Sequence, residues 1–506
     1  MDLFQTIALS FSGGGYRAAC FSLGTLSLLE KVGLLENIKA ISTVSGGTIT
    51  GVKYAQSQVE EKGFNVFFKE YYQWLEKDDL ASNAISHLRW PLIWNKPENK
   101  HKRKNPINAF AIEYNEATNH VTLGQVQDMI AEKKTHLKRV IFNATDFDTT
   151  YHFRFQNIKG NRKRFGNGKA HGAYKDILDD IKLGDVIAAS TAFPGGFEPI
   201  GFPSDFTEKY KELDEIGLMD GGILDNQGTS VFVSDVQNNI KEGYDLYFVS
   251  DVASPYTGKG FEFASKNKFS KYASWVSSAF TLLFMLVITV FFFLQKWLVS
   301  YTISVVFLAF LIFIQIGFFL LSNLMQQQTG IDQRLYLPPK RVGFYIVNRG
   351  KSLLRMASVI FLKNDRRQHA ATLYSTFPTK IATSTVYELR CEDIYGEKTK
   401  KPERVRNWEK IVVYTKDIND LIIENSTKSA AFGTTLWFTK KDRSNDMLNV
   451  LIACGEYTAC YNLIAHIVIH HGEEGVKTEL FKQLIRLWDE FQKNPKYLVR
   501  ERLKDL

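Results

Sequence analysis

Through about the first 255 residues, short apolar runs alternate with stretches whose apolar positions fall at helical spacing. Thr6–Phe11, Ile38–Val44, Arg139–Asn143, Tyr151–Phe155 and Tyr244–Val249 read as strands. Between the first two, Tyr16 to Val32 carries Leu23, Leu26 and Leu29 three apart, which predicts a helix. A second helix, bearing Val52 and Tyr54, is expected after Val44. Strand–helix alternation with short connections predicts an α/β fold with a parallel or mixed sheet covered on both faces. Further along, Val342–Val347 and Ile381–Leu389 read as strands, and helices are expected from about Leu353 and over 443–469 and 474–492.

One stretch breaks this pattern. From Tyr272 to Ile331 the only charged residue is Lys296. Trp275–Leu294 and Val299–Leu321 are uncharged, and a helix needs about 20 apolar residues to cross the hydrocarbon core. The expectation is an inserted two-helix transmembrane hairpin, with Trp275 and Trp297 near the span ends where indoles favour the interface. A pair of buried core helices is the alternative. Lys259, Lys266, Lys268 and Lys271 precede the spans, and Arg334, Lys340 and Arg341 follow them, so the flanks are expected on the cytoplasmic side. The chain then divides into 1–271, the first part of a catalytic domain; 272–326, the hairpin; and 327–506, which completes the domain with a helical tail. The expected location is a bacterial cytoplasmic membrane, catalytic domain inward.

Composition adds less. A net charge of +9 suits an anionic membrane surface. No basic helix with base-reading residues and no zinc-ligand spacing appears, so nucleic acid is not an expected partner. Cys20, Cys391, Cys454 and Cys460 show no CxxC spacing, which fits a reducing compartment. The segment Met1–Gln5 lacks the apolar run of a secretion signal, so none is expected. Two segments stand out for basic residues: 89–105, with Trp90 and Trp94, and 158–175. Each is either a solvated loop or a rim that meets lipid head groups.

The candidate chemistry lies in three short segments. Ser45 follows an apolar strand and precedes Gly46 and Gly47, the strand–turn–helix setting of a nucleophile elbow. The usual first glycine of that pattern is Thr43 here. Gly13, Gly14 and Gly15 lie between a strand and a helix, where free amides and the helix dipole favour an oxyanion. A purely structural turn is the alternative; Ala18 breaks a dinucleotide fingerprint, and no Gly-Lys-Ser/Thr marks a P-loop. Asp220, followed by Gly221 and Gly222, offers a carboxylate that could serve the serine as base. None of the ten histidines has a convincing triad setting, and His152 reads as structural. No metal or other cofactor is expected.

Ser12-Gly13-Gly14-Gly15-Tyr16-Arg17, Val44-Ser45-Gly46-Gly47 and Asp220-Gly221-Gly222, in that order, resemble the patatin-like phospholipase family and are similar to the related cytosolic phospholipases. Ala188–Pro199 and Asn143-Ala144-Thr145-Asp146 also resemble family segments. The resemblance spans residues 6 to about 252 and, weakly, 340–465; the hairpin is foreign to the common soluble members. It implies a three-layer α/β/α hydrolase with a central, mostly parallel sheet. It further implies a Ser–Asp dyad in which Ser45 attacks an acyl ester, Asp220 takes its proton and an acyl-Ser45 intermediate is hydrolysed. Gly13, Gly14 and Gly15 would hold the oxyanion, while Arg17 would fix the glycine loop or contact a phosphate. The expected function is a membrane-anchored phospholipase or lysophospholipase whose partners are the bilayer and its phospholipids. An acyltransferase with the same dyad, a non-catalytic membrane scaffold and, by analogy alone, a membrane-damaging defence effector are the alternatives.

Overall fold

The computed structural model describes residues 3–77, 80–157, 165–167, 177–210, 214–240, 243–252, 290, 349–350, 352–353, 355–392, 402 and 407–504. The chain forms two units, residues 1–256 with 362–506, and residues 257–361. Apart from Val290, the expected spans 275–294 and 299–321, the strand Val342–Val347 and nearly all of the basic segment 158–175 lie outside the described residues.

The first unit is built on one eight-stranded sheet. Its strands are β1 (Ile7–Phe11), β2 (Ile38–Val44), β3 (Arg139–Asp146), β4 (His152–Gln156), β5 (Ile200–Phe202), β6 (Ile216–Asp220), β7 (Leu246–Asp251) and β8 (Ile381–Thr385). The order is β5-β6-β3-β2-β1-β7-β8, with β4 also paired to β3. β3, β2, β1, β7 and β8 run parallel. β4 and β6 are antiparallel to β3, and β5 is antiparallel to β6. The sheet is thus mixed, with a parallel centre.

The parallel strands are buried on both faces, which is why they read as continuous apolar runs. Register then aligns their carboxyl ends: Phe11 pairs with Thr43 on one side and Ser250 on the other, and Val44 pairs with Asn143. Because β6 runs the other way, Asp220 comes to lie opposite Ala144, near that same edge. In open α/β sheets the crevice outside the carboxyl ends is where ligands bind.

Six helices matter for the site: α1 (Gly15–Lys31), α2 (Gly46–Val59), α3 (Leu183–Thr191), α4 (Leu362–Thr376), α5 (Asp420–Ala431) and α6 (Met447–His470). α1 and α2 begin directly after β1 and β2. α6 packs along α1. Among the described residues α6 alone is long and apolar enough to cross a membrane, and nearly all of it is buried within its own unit.

The sequence reading needs several adjustments. The strand expected over Ile381–Leu389 ends at Thr385 and turns into a short 3-10 segment, Glu388–Arg390. The helix expected over 474–492 is two, Gly472–Val476 and Glu479–Lys493. β5 and β6, too short and glycine-interrupted to announce themselves, were not expected. Trp90 is 66% exposed, but Trp94 is buried with its indole N–H donating to the His87 carbonyl at 2.8 Å, so it is no interfacial anchor. Lys102 is not solvated either: its ammonium is buried against Asp185 at 2.6 Å. All four cysteines are buried free thiols.

Candidate active site

β2 delivers Ser45 into a conformation that L-residues rarely adopt, φ 50° and ψ −123°. Such strain persists only where surrounding contacts over-determine it. Here they do. The Ser45 amide donates to the Ser190 hydroxyl at 2.9 Å, and that hydroxyl donates to the Asn143 carbonyl at 2.7 Å. Thr48 lies 2.8 Å from the same hydroxyl and 3.0 Å from that of Thr43. Thr43, which stands where the elbow pattern has glycine, fits because Gly51 faces it: a Cβ on Gly51 would lie 2.5 Å from the Thr43 methyl. Gly46 is required by the approach of α1, since a Cβ there would stand 2.1 Å from the Gly15 carbonyl oxygen.

Asp220 ends β6 with its amide bonded to the Ala192 carbonyl at 3.0 Å. Its carboxylate is buried and accepts the Gly222 amide at 2.7 Å. The Ser45 side chain is close enough to favour its charged form. Burial pushes the Asp220 carboxyl up to about 6, while Ser45 and the Gly222 amide pull in the opposite direction. Among the described residues no histidine is bonded to Ser45 or Asp220. His152, on β4, is held neutral by burial, its pKa lowered to about 4. Gly221 packs against β3, where a Cβ would meet the Asn143 carbonyl oxygen at 2.4 Å.

The glycine loop borders both. A Cβ on Gly13 would be 3.1 Å from the Ser45 Cβ. The three amides differ, however. Gly13 donates to the Asn226 carbonyl at 2.9 Å, so it is not free to receive an anion, contrary to the expectation for all three glycines. Tyr16, one step into α1, donates to the Thr435 carbonyl at 2.7 Å. Between them, the amides of Gly14 and Gly15 have no partner among the described residues, as the first turn of a helix leaves them. Gly14 holds φ 149°, a backbone state that glycine tolerates best.

Arg17 does not face this opening. It is buried and donates to the carbonyl of Phe432 at 2.7 Å and to the Tyr387 hydroxyl at 3.2 Å, tying α1 to the segment that follows α5. The expected contact with the glycine loop or with a phosphate is not among these bonds. Ser190 and Asn226 went unrecognised in the sequence as parts of the site. Ser190 lies within the family-like segment Ala188–Pro199, and Asn226 lies six residues after Asp220, so proximity to known motifs was the available signal.

Residues 9–233 match the model of a family described as patatin-like phospholipase. The matched stretch runs from β1 into the helix after Asp220 and holds the glycine loop, Ser45 and Asp220, so this part of the chain is similar to patatin-like phospholipases. No curated protein matches the chain. Among solved structures, the crystal structure of VipD from Legionella pneumophila aligns at 12% identity over 98% of this chain and 92% of its own, with a TM-score of 0.24, too low to support structural inference.

Proposed function

We propose that this protein is a membrane-anchored serine hydrolase that cleaves fatty-acyl esters of glycerophospholipids through a Ser45–Asp220 dyad. The domain match supports lipid acyl hydrolysis as the class of reaction. The observation that carries the finer reading is a strained, half-buried serine whose side chain acts on a buried carboxylate, beside two amides at a helix N-terminus that have no partner among the described residues.

The chemistry follows from that arrangement. Ser45 Oγ attacks the acyl carbonyl carbon as its proton passes to the Asp220 carboxylate. The carbonyl oxygen becomes an anion and is met by the amides of Gly14 and Gly15, reinforced by the dipole of α1. Gly13 contributes by its lack of a side chain rather than by its amide. Collapse breaks the ester C–O bond, and Asp220 returns the proton to the departing lysolipid oxygen. Water then attacks acyl-Ser45 with Asp220 again as base, releasing the fatty acid. A carboxyl near 6 suits both proton transfers at neutral pH.

Ser45→Ala and Asp220→Asn are each expected to lower kcat by about four orders of magnitude or more, with the double variant no worse than the singles. Near-normal turnover by either single variant contradicts the dyad. The membrane part of the proposal rests on the 60-residue stretch whose only charge is Lys296. A cysteine beside Lys296 should react with an impermeant thiol reagent from outside intact cells, and one near Lys268 should not; the four native cysteines are buried. The reverse labelling contradicts the orientation.

A further inference from the structure

We infer that Arg366 is a positioning residue for the glycine loop, acting through Asp251 and Gln227; this rests on the reading of Gly14 and Gly15 as oxyanion donors. Arg366 stands in the first turns of α4, shortly after the chain leaves the 257–361 unit. It is 7% exposed, and its guanidinium meets one oxygen of Asp251, which is fully buried at the end of β7. Nε donates to Asp251 Oδ2 at 2.9 Å, and Nη2 donates to the same oxygen. Gln227 Nε2 donates to that oxygen as well, at 2.7 Å.

From Asp251 the constraint reaches the glycine loop by two routes. The first follows the chain. Ser250 accepts the Ser12 amide at 3.0 Å, and the Val252 amide donates to the Ser12 hydroxyl at 2.9 Å. The Val252 side chain presses on Gly14 so closely that a Cβ there would lie 2.4 Å from its methyl. The second passes through Gln227. Its carbonyl accepts the Ser10 hydroxyl, and its neighbour Asn226 accepts the Gly13 amide at 2.9 Å. The loop that must present two unpartnered amides is therefore clamped on one side by 250–252 and on the other by 226–227. Both clamps meet at one carboxylate, and Arg366 supplies its countercharge.

A buried carboxylate that loses a charged hydrogen-bond donor is strongly disfavoured and must turn toward other donors or draw in water. Either change weakens the Gln227 bond and frees the 250–252 strand end to shift. Donors to an oxyanion must hold position within about half an ångström to keep their effect. Arg366 itself touches neither Ser45 nor Asp220 among the described residues, so its loss should slow turnover without altering how substrate is held. Lysine cannot substitute fully, because one ammonium does not reproduce the two-pronged approach of the guanidinium.

The test uses the full-length protein in detergent or lipid and compares Arg366→Lys, Arg366→Met and Gln227→Met with the parent. Two readouts are taken: kcat and KM on a fluorogenic acyl ester, and hydrogen exchange of peptides covering residues 10–20. The expected result is a fall in kcat of about tenfold for Arg366→Lys and Gln227→Met and about a hundredfold for Arg366→Met, with KM within about twofold. Exchange in 10–20 should quicken in all three, while the pH dependence, set by Asp220, stays in place. Unchanged exchange in 10–20 in the Arg366 variants, or a change confined to KM, overturns the inference. If the parent shows no Ser45-dependent hydrolysis, the functional reading fails, and the exchange arm still decides whether Arg366 holds the loop.

Discussion

The two turns at the carboxyl ends of β1 and β2 are neighbours in the sheet, yet they are built on opposite principles. The β2 turn puts Ser45 at φ 50° and surrounds it with partners: Ser190 on its amide, Thr48 and Asn143 behind Ser190, Asp220 near its side chain. The β1 turn is held at its edges, through Ser12, Gly13 and Tyr16, while Gly14 and Gly15 in the middle keep their amides without partners among the described residues. A nucleophile needs one fixed position, so strain there is matched by many contacts. An oxyanion hole needs the reverse, donors that the fold positions but does not satisfy, so that the transition state is the first good acceptor they meet. The first turn of any helix leaves such amides open; what sets these apart is their place beside the Ser45–Gly46 turn.

The sharpest way to break this contrast is to crowd the open turn. Gly14→Ala adds a methyl against Val252 at a φ of 149°, so kcat should fall by about 100- to 1,000-fold. KM should move far less. Full activity in Gly14→Ala would mean that this loop does not hold the oxyanion.

The buried base gives the next largest effect. Because burial raises Asp220 to about 6, the base is protonated below that pH, and kcat/KM should climb through about pH 6 and then level. The stability consequence has a definite sign. The folded pKa lies above the unfolded one, so the ionised carboxylate costs nothing below about pH 4, and the cost grows to its full value above about pH 6. Asp220→Asn should therefore stabilise the protein at neutral pH by up to about 3 kcal/mol, a gain that vanishes near pH 4. Denaturant unfolding of the two proteins at both pH values measures it; a variant less stable at pH 7 contradicts the assignment of burial as the dominant cause.

The smallest effect tests the closed turn. Ser190→Ala removes the hydroxyl that joins the Ser45 amide to the Asn143 carbonyl. A loss of about 1–3 kcal/mol in stability is expected from the unsatisfied groups, with roughly tenfold slower turnover. Turnover unchanged at that cost would show that the elbow does not depend on this anchor.

The parts of this site that could be read in the sequence are those whose geometry is local. An apolar run into Ser45-Gly46-Gly47, another into Gly13-Gly14-Gly15, and an aspartate before two glycines each carry their own strand–turn signal. What could not be read comes from distant segments meeting. Ser190 reaches Ser45 across 145 positions, and Arg366 reaches Asp251 across 115. No periodicity encodes such a pairing. The same holds for the Gly13 amide: its glycine was visible, but its capture by Asn226 depends on how the 221–228 loop folds back. Trp94 was misjudged for a related reason, because aromatic-plus-basic composition cannot tell a rim from a core residue whose indole has found the His87 carbonyl.

The most direct test is covalent labelling with a fluorophosphonate, whose phosphorus mimics the tetrahedral acyl centre, followed by peptide mass spectrometry. The account predicts a single adduct on Ser45 in the parent, none in Ser45→Ala, and labelling slowed by orders of magnitude in Asp220→Asn. An adduct on any other residue, or ester hydrolysis that persists in Ser45→Ala, would contradict it.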